Sequence, residues 1–209
     1  MSFGKILIRH DSCNYNIVTT ILKAINMGFR IERGRITLTV AQAGIMAALV
    51  AVATFAVQVP IPATKGYLNF GDIMIFASAL IFGPIVGGFA GGVGSALSDV
   101  AGGYASTYAP FTLIIKGAEG IIAGLIAKRG SKKRNILAVA VAGAEMVSGY
   151  FLAEFFGLSL GWAAATEVPF NILQIVAGGA IGIPISIVIL KRLPETWIRQ
   201  SQAREVGTA

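Results

Sequence analysis

The sequence predicts an all-α integral membrane protein, a bundle of six transmembrane helices with the N and C termini both cytoplasmic. Three observations carry that expectation. Hydrophobic residues make up 55% of the chain and charged residues 13%, about half the charged share of an average soluble domain. Apolar stretches recur at the length of roughly 20 residues that a helix needs to cross the hydrocarbon core. The remaining charge, 17 Lys and Arg against 10 Asp and Glu, gathers in short basic segments between or outside those stretches. That pattern points to the lipid bilayer as the partner of the positive charge and away from nucleic acid.

Residues 1–37 read as a cytoplasmic N-terminal arm. They are polar around Arg9, His10, Asp11, Asn14 and Asn16, without the apolar core or small-residue cleavage site of a signal peptide. Either its first 27 residues lie on anionic lipid as a surface arm or weakly amphipathic helix, or Met27 is the true start and the stretch before it is an upstream extension. The bundle occupies 38–192, and 193–209 form a cytoplasmic tail.

The first span falls within Ile36 to Ala63. The next stretch, Ile73 to Ser98, decides the topology. As one helix it gives five crossings and places Lys128, Arg129, Lys132, Lys133 and Arg134 across the membrane from the basic arm. With a reversal at Gly83-Pro84 there are six crossings, and the arm, the 128–134 run and the tail (Lys191, Arg192, Arg199, Arg204) share one side. Only Lys65 then sits in an outer loop, as the positive-inside bias prefers. The second helix, roughly Tyr67 to Phe82, is short and requires tilt or local thinning. Pro110 to Ala127, Ile136 to Leu160 and Pro169 to Leu190 supply the remaining three.

Ionisable and amide groups inside the spans crowd towards the outer side. Asp72 opens the second helix, Asp99 closes the third and Glu154 lies near the end of the fifth. At 1.5 Å per residue, Lys116 and Glu119 lie roughly 9 and 14 Å below the outer start of the fourth helix, and Asn171 and Gln174 roughly 5 and 9 Å below that of the sixth. Only Glu145 is near the middle. A transmembrane ion path needs polar groups at successive depths, whereas this distribution describes an outer pocket with an apolar floor. Lys116 and Glu119, three residues apart, either serve that pocket or neutralise each other. The outer connections bring Tyr67, Asn69 and Phe70, then Tyr104 and Tyr108, to its mouth. Aromatic rings beside a few polar groups suit a flat heterocycle, and equally an interfacial aromatic belt.

Two rows of small residues mark close packing. Ala43, Ala47 and Ala51 lie on one face of the first helix, widened by Gly44 and Ala48; they either pack inside the bundle or receive a helix of another subunit. Gly83, Gly87, Gly91, Ser95 and Asp99 form a similar row in the third.

Several chemistries are excluded. One cysteine and one histidine are too few for a disulfide or a Cys/His zinc site. No P-loop is present, so ATP-driven work needs another subunit. His10 lies outside the spans, so no serine-histidine dyad forms in the bundle. No enzyme activity, cofactor or metal is expected.

The segments Gly66-Tyr-Leu-Asn-Phe-Gly-Asp72, Leu80-Ile-Phe-Gly-Pro-Ile-Val-Gly-Gly88, Gly94-Ser-Ala-Leu-Ser-Asp99 and Tyr108-Ala-Pro-Phe-Thr-Leu-Ile-Ile-Lys-Gly-Ala-Glu-Gly120 resemble the substrate-binding S component of energy-coupling factor (ECF) vitamin transporters, in the branch of riboflavin and hydroxymethylpyrimidine or pyridoxine carriers. The resemblance runs from about residue 38 to 192. It implies a multi-pass protein of the cell membrane that binds a vitamin or related heterocycle from outside, and that associates with a transmembrane T component and two cytoplasmic ATPases. It implies that the first-helix alanine row (Ala43, Ala47, Ala51) docks on the T component and that Pro60 to Asn69 caps the ligand. Asn69, Asp72, Asp99, Tyr108, Lys116, Glu119, Asn171 and Gln174 are the expected pocket residues. The competing expectation is a self-sufficient proton-coupled transporter relaying through Asp99, Lys116, Glu119 and Glu145.

Overall fold

The computed structural model describes residues 36–64 and 66–193. The chain divides into two units, Met1–Thr39 and Val40–Ala209; of the first, only the start of a helix is described. The expectations placed on the arm before Ile36, on Met27, on Lys65 and on the tail beyond Leu193 lie outside the described residues.

Helix α1 spans Ile36–Ala56. A two-stranded antiparallel hairpin follows, β1 (Val59–Ile61) with β2 (Gly66–Leu68), pairing Val59 with Leu68 and Ile61 with Gly66. The helices α2 (Gly71–Phe82), α3 (Pro84–Ala101), α4 (Ala109–Ile126), α5 (Lys132–Leu152) and α6 (Val168–Arg192) complete the fold. Between α5 and α6 the chain makes a π-helical turn, Ala153–Gly157, and a 3-10 helix, Gly161–Thr166.

Three expectations are corrected. The segment Pro60 to Asn69 is not an irregular loop but holds a β-hairpin, the one departure from an all-α chain among the described residues. Pro60 fits there because an edge strand tolerates a residue with no N–H to donate. The second helix begins at Gly71 rather than near Tyr67, since Asn69 turns the chain by accepting the Gly71 N–H at 2.9 Å. The fifth loses its α-helical form after Leu152 instead of continuing to Leu160.

The reversal at Gly83-Pro84 is present. Gly83 has φ +86° and ψ −171°, a region that only glycine occupies readily, and Pro84 starts α3 at a position where its missing N–H costs nothing. The glycines of α3 then allow contact on both sides. A methyl group on Gly87 would fall 2.7 Å from the Ala79 side chain on α2 and 2.9 Å from the Gly120 carbonyl on α4. One on Gly92 would fall 2.6 Å from the Leu113 carbonyl. The glycine row is thus packing, as its spacing suggests, and it draws α2, α3 and α4 into a tight antiparallel set.

Buried side chains form one core among α2, α4, α5 and α6 around Phe76, Ala123, Ala142 and Met146, and a second where α1 meets α2 and α3, around Val50, Ile75 and Ala90. Large apolar residues such as Ile45, Val52, Ile114, Phe156, Trp162 and Val188 are exposed. An exterior this apolar is suited to lipid rather than water. Four helical segments, Ile36–Ala56, Ala109–Ile126, Lys132–Gly157 and Gly161–Arg192, are long and apolar enough to cross a membrane, and α2 is a shorter apolar helix.

Ala43 and Ala47 are buried, Ala51 half-buried. Gly94 of α3 lies against Ala47, where a methyl group would come within 2.5 Å of the Ala47 carbonyl. Ala43 and Ala47 thus pack against the chain's own helices. Gly44 has open space around it, and Ala48 is exposed.

Candidate functional site

The polar residues converge on one end of the bundle, where α1, α3 and α5 finish and α2, α4 and α6 begin. At its centre is Lys116, whose ammonium pairs with Asp72 and, at 3.1 Å, with Glu119. All three are buried. The other Asp72 oxygen accepts the Gln174 side-chain N–H at 2.8 Å, and the Gln174 carbonyl accepts the backbone N–H of Asn69 at 3.1 Å. One polar chain thus joins α4, α2 and α6 to the base of the hairpin. Two carboxylates around one ammonium offset the cost of burying any of them alone. The expected Lys116–Glu119 pair is present, and Asp72 shares the same ammonium.

A small cavity of about 30 Å³ lies above this triad, room for roughly one or two waters. Asn69, Asp99, Tyr108, Lys116, Asn171 and Gln174 line it, six of the eight residues expected there. Asp72 and Glu119 stand behind Lys116. The lining residues that the sequence reading did not single out as binding groups include Thr54, Thr112, Tyr150 and Glu167. Tyr150 donates to the Thr112 hydroxyl at 3.1 Å, and its ring faces the Lys116 ammonium at 5.7 Å.

The hairpin closes the mouth through side-chain contacts. Tyr67 on β2 donates its hydroxyl to Asp99. Its ring lies 5.0 Å from that of Tyr104, which in turn is 6.2 Å from that of Tyr108. Tyr108 donates to the Thr64 carbonyl at 2.9 Å, and the Thr64 hydroxyl donates to Glu167. Gly66 has no Cβ because the Glu167 carboxylate occupies that space. Burial, and then the negative charge of Asp99, pushes the Tyr67 hydroxyl well above the usual tyrosine range; burial, with Glu167 and Glu154 nearby, does the same for Tyr108. Both remain protonated donors at physiological pH.

Among the described residues, three buried polar atoms on residues lining this cavity find no hydrogen-bond partner: the second Asp99 oxygen and the hydroxyls of Thr54 and Ser95. Such atoms are costly to leave unpaired, so they are where an incoming molecule gains most. Below the triad, the core around Phe76, Ala142 and Met146 is apolar. The buried Ser78 and Ser186 bond to carbonyls of their own helices. Glu145 is not among the cavity-lining residues. Among the described residues, no polar chain continues from the cavity to the other end.

That other end carries Lys128, Arg129, Lys132, Lys133, Arg134, Lys191 and Arg192. Arg129 donates to the Leu190 carbonyl at 3.3 Å, and buried Asn135 accepts the Lys128 N–H at 3.1 Å. The bundle is polar-pocketed at one end and basic at the other.

The family described as "ECF-type riboflavin transporter, S component" matches residues 35–192. An uncharacterised protein of Pyrococcus woesei is 48% identical over 145 residues, covering 69% of this chain and 96% of that protein. The thiamine precursor transporter HmpT of Lactococcus lactis is 33% identical over 132 residues, covering 62% of this chain and 74% of that transporter. With a family match running through all six helices and the cavity, the chain belongs to the S-component family of ECF-type riboflavin transporters, and is a multi-pass membrane protein of the vitamin-uptake class.

Proposed function

We propose that the chain is the substrate-binding subunit of an ECF-type importer in the plasma membrane, crossing it six times with both termini in the cytoplasm. The observation that carries this reading is the cavity: polar, closed beneath by an apolar core, and placed opposite the basic end. Positive charge prefers the cytoplasmic side, so the cavity faces out. The helices α2 and α3, short or rich in glycine, span by tilt and local thinning. Residues 38–192 are the binding domain, and the segments before and after it lie in the cytoplasm.

The ligand is a small vitamin-like heterocycle. The unpaired Asp99 oxygen calls for an N–H donor, the Thr54 and Ser95 hydroxyls bond ring nitrogens or a hydroxyl, and the three tyrosines offer flat faces. An aminopyrimidine of the thiamine-precursor kind supplies these groups on one ring. Asn69, Tyr108, Lys116, Asn171 and Gln174 complete the binding surface, and Asp72 and Glu119 hold Lys116 in place. The hairpin opens to admit the ligand and closes over it.

Release on the cytoplasmic side requires reorientation, because the apolar floor offers no exit. A T component and two ATPases drive it, and docking uses the open face of α1 at Gly44 and Ala48, one position beyond the alanine row. The test is native mass spectrometry and thermal shift of the detergent-purified protein with 4-amino-5-hydroxymethyl-2-methylpyrimidine, riboflavin and no addition. Retention of the aminopyrimidine is expected. Retention of riboflavin alone would overturn the ligand assignment, and chemical alteration of the ligand or gradient-driven uptake by the protein alone would overturn the subunit reading.

A further inference from the structure

The two helices α5 and α6 pack closely through a pair of glycines. A methyl group on Gly143 would meet the Ile175 side chain, and one on Gly179 would fall 2.7 Å from Val139. These two contacts fix an antiparallel pair in van der Waals touch. Along this seam, reaching to the basic end, runs a groove of about 800 Å³, walled by Ile136 and Ala140 on one side and by Val176, Ala180, Pro184 and Val188 on the other. Its lining is almost wholly apolar apart from Lys132 on α5 and Lys191 on α6.

Pro184 contributes to the groove twice. It lies inside α6, where it has no N–H for the Ala180 carbonyl, and its own ring lines the wall. Along α5, Lys132 to Ala140 covers about 12 Å, comparable to the half-thickness of a bilayer core, about 15 Å. Both lysines are exposed, and neither has an acidic partner among the described residues. An apolar slot one leaflet deep, ending in two exposed ammonium groups, matches a molecule with a long hydrocarbon chain and an anionic head.

We propose that this groove is a binding site for one anionic phospholipid of the cytoplasmic leaflet, its acyl chain in the slot and its phosphate between Lys132 and Lys191. A zwitterionic lipid places a positive group beside the same phosphate and gains less from the two lysines. Basic pockets between transmembrane helices on the cytoplasmic side are known to hold such headgroups. The site rests on the membrane orientation proposed above and is independent of what the outer cavity binds.

The test uses full-length protein in nanodiscs of phosphatidylcholine doped with dioleoylphosphatidylglycerol, with native mass spectrometry of the lipid retained on gentle detergent release. One retained phosphatidylglycerol is expected, with at least about tenfold preference over phosphatidylcholine. K132A/K191A removes the preference, whereas K133A/R192A, which deletes the same charge outside the groove, keeps it. Ala180→Trp fills the slot and displaces the lipid while leaving the melting temperature and outer-ligand binding unchanged. Equal retention of the two lipids, or equal loss in both double variants, would overturn the site. If Ala180→Trp kept the lipid but abolished assembly with a T component, the groove would belong to a partner helix instead. Failure of outer-ligand binding with lipid preference intact would sink the substrate reading alone.

Discussion

Lys116 is the residue on which the cavity depends most. It is buried between two carboxylates, so Lys116→Met leaves Asp72 and Glu119 as uncompensated charges in a dry interior. Removing one partner of a buried ion pair typically costs about 3–5 kcal/mol. Thermal unfolding in detergent is expected to show a loss of that size, partly restored when D72N and E119Q are added. Asp99 acts differently. Its unpaired oxygen is available to a ligand, so Asp99→Asn is expected to leave the melting temperature near that of the parent and to weaken aminopyrimidine binding by about ten- to a hundredfold, the worth of one hydrogen bond to a charged group; calorimetric titration reads the change. Most of these residues were legible in the sequence, because a charge or amide inside an apolar span has few places to go. Tyr150 and Glu167 were not, since an aromatic at a helix end and an acid before a proline-started helix look like interfacial and capping residues until the helices are packed.

At the level of elements, the hairpin is held shut by few bonds, and Thr64 supplies two of them. Thr64→Val removes the hydroxyl that bonds Glu167 and leaves a buried carboxylate unpaired. Stopped-flow displacement is expected to show ligand leaving about tenfold faster, while an unchanged off-rate would mean that the hairpin does not gate the cavity. The hairpin itself was hidden in the sequence: its strands are three residues long, and two prolines in seven residues look like a stiff loop. The α2–α3 reversal was legible, because Gly-Pro inside an apolar stretch fits one helix poorly and charge balance favoured a turn. Gly83→Ala is expected to cost about 1–3 kcal/mol, the price of that backbone conformation for a residue with a Cβ. The alanine row on α1 shows where spacing stops being informative. Small residues permit close approach from either side, and the Gly94 contact shows α3 taking part of that face. Ala47→Trp is therefore expected to damage folding, whereas Ala48→Trp spares ligand binding and blocks co-purification with a T component.

Across the whole molecule, one asymmetry organises everything else: hydrogen-bonding groups at one end of the bundle, basic residues at the other, and apolar packing between. The sequence carried it openly, since depth along a helix follows directly from residue count, while which polar groups touch one another required the packed structure. A binding subunit that must be turned by its partners needs that closed floor; a self-sufficient carrier needs a continuous path. The most direct measurement of the claim is sidedness in intact cells, using single-cysteine variants in a Cys13→Ser background and a membrane-impermeant maleimide. Tyr104→Cys is expected to label from outside and Lys133→Cys only after permeabilisation. The reverse pattern, or labelling of both from outside, would contradict the account.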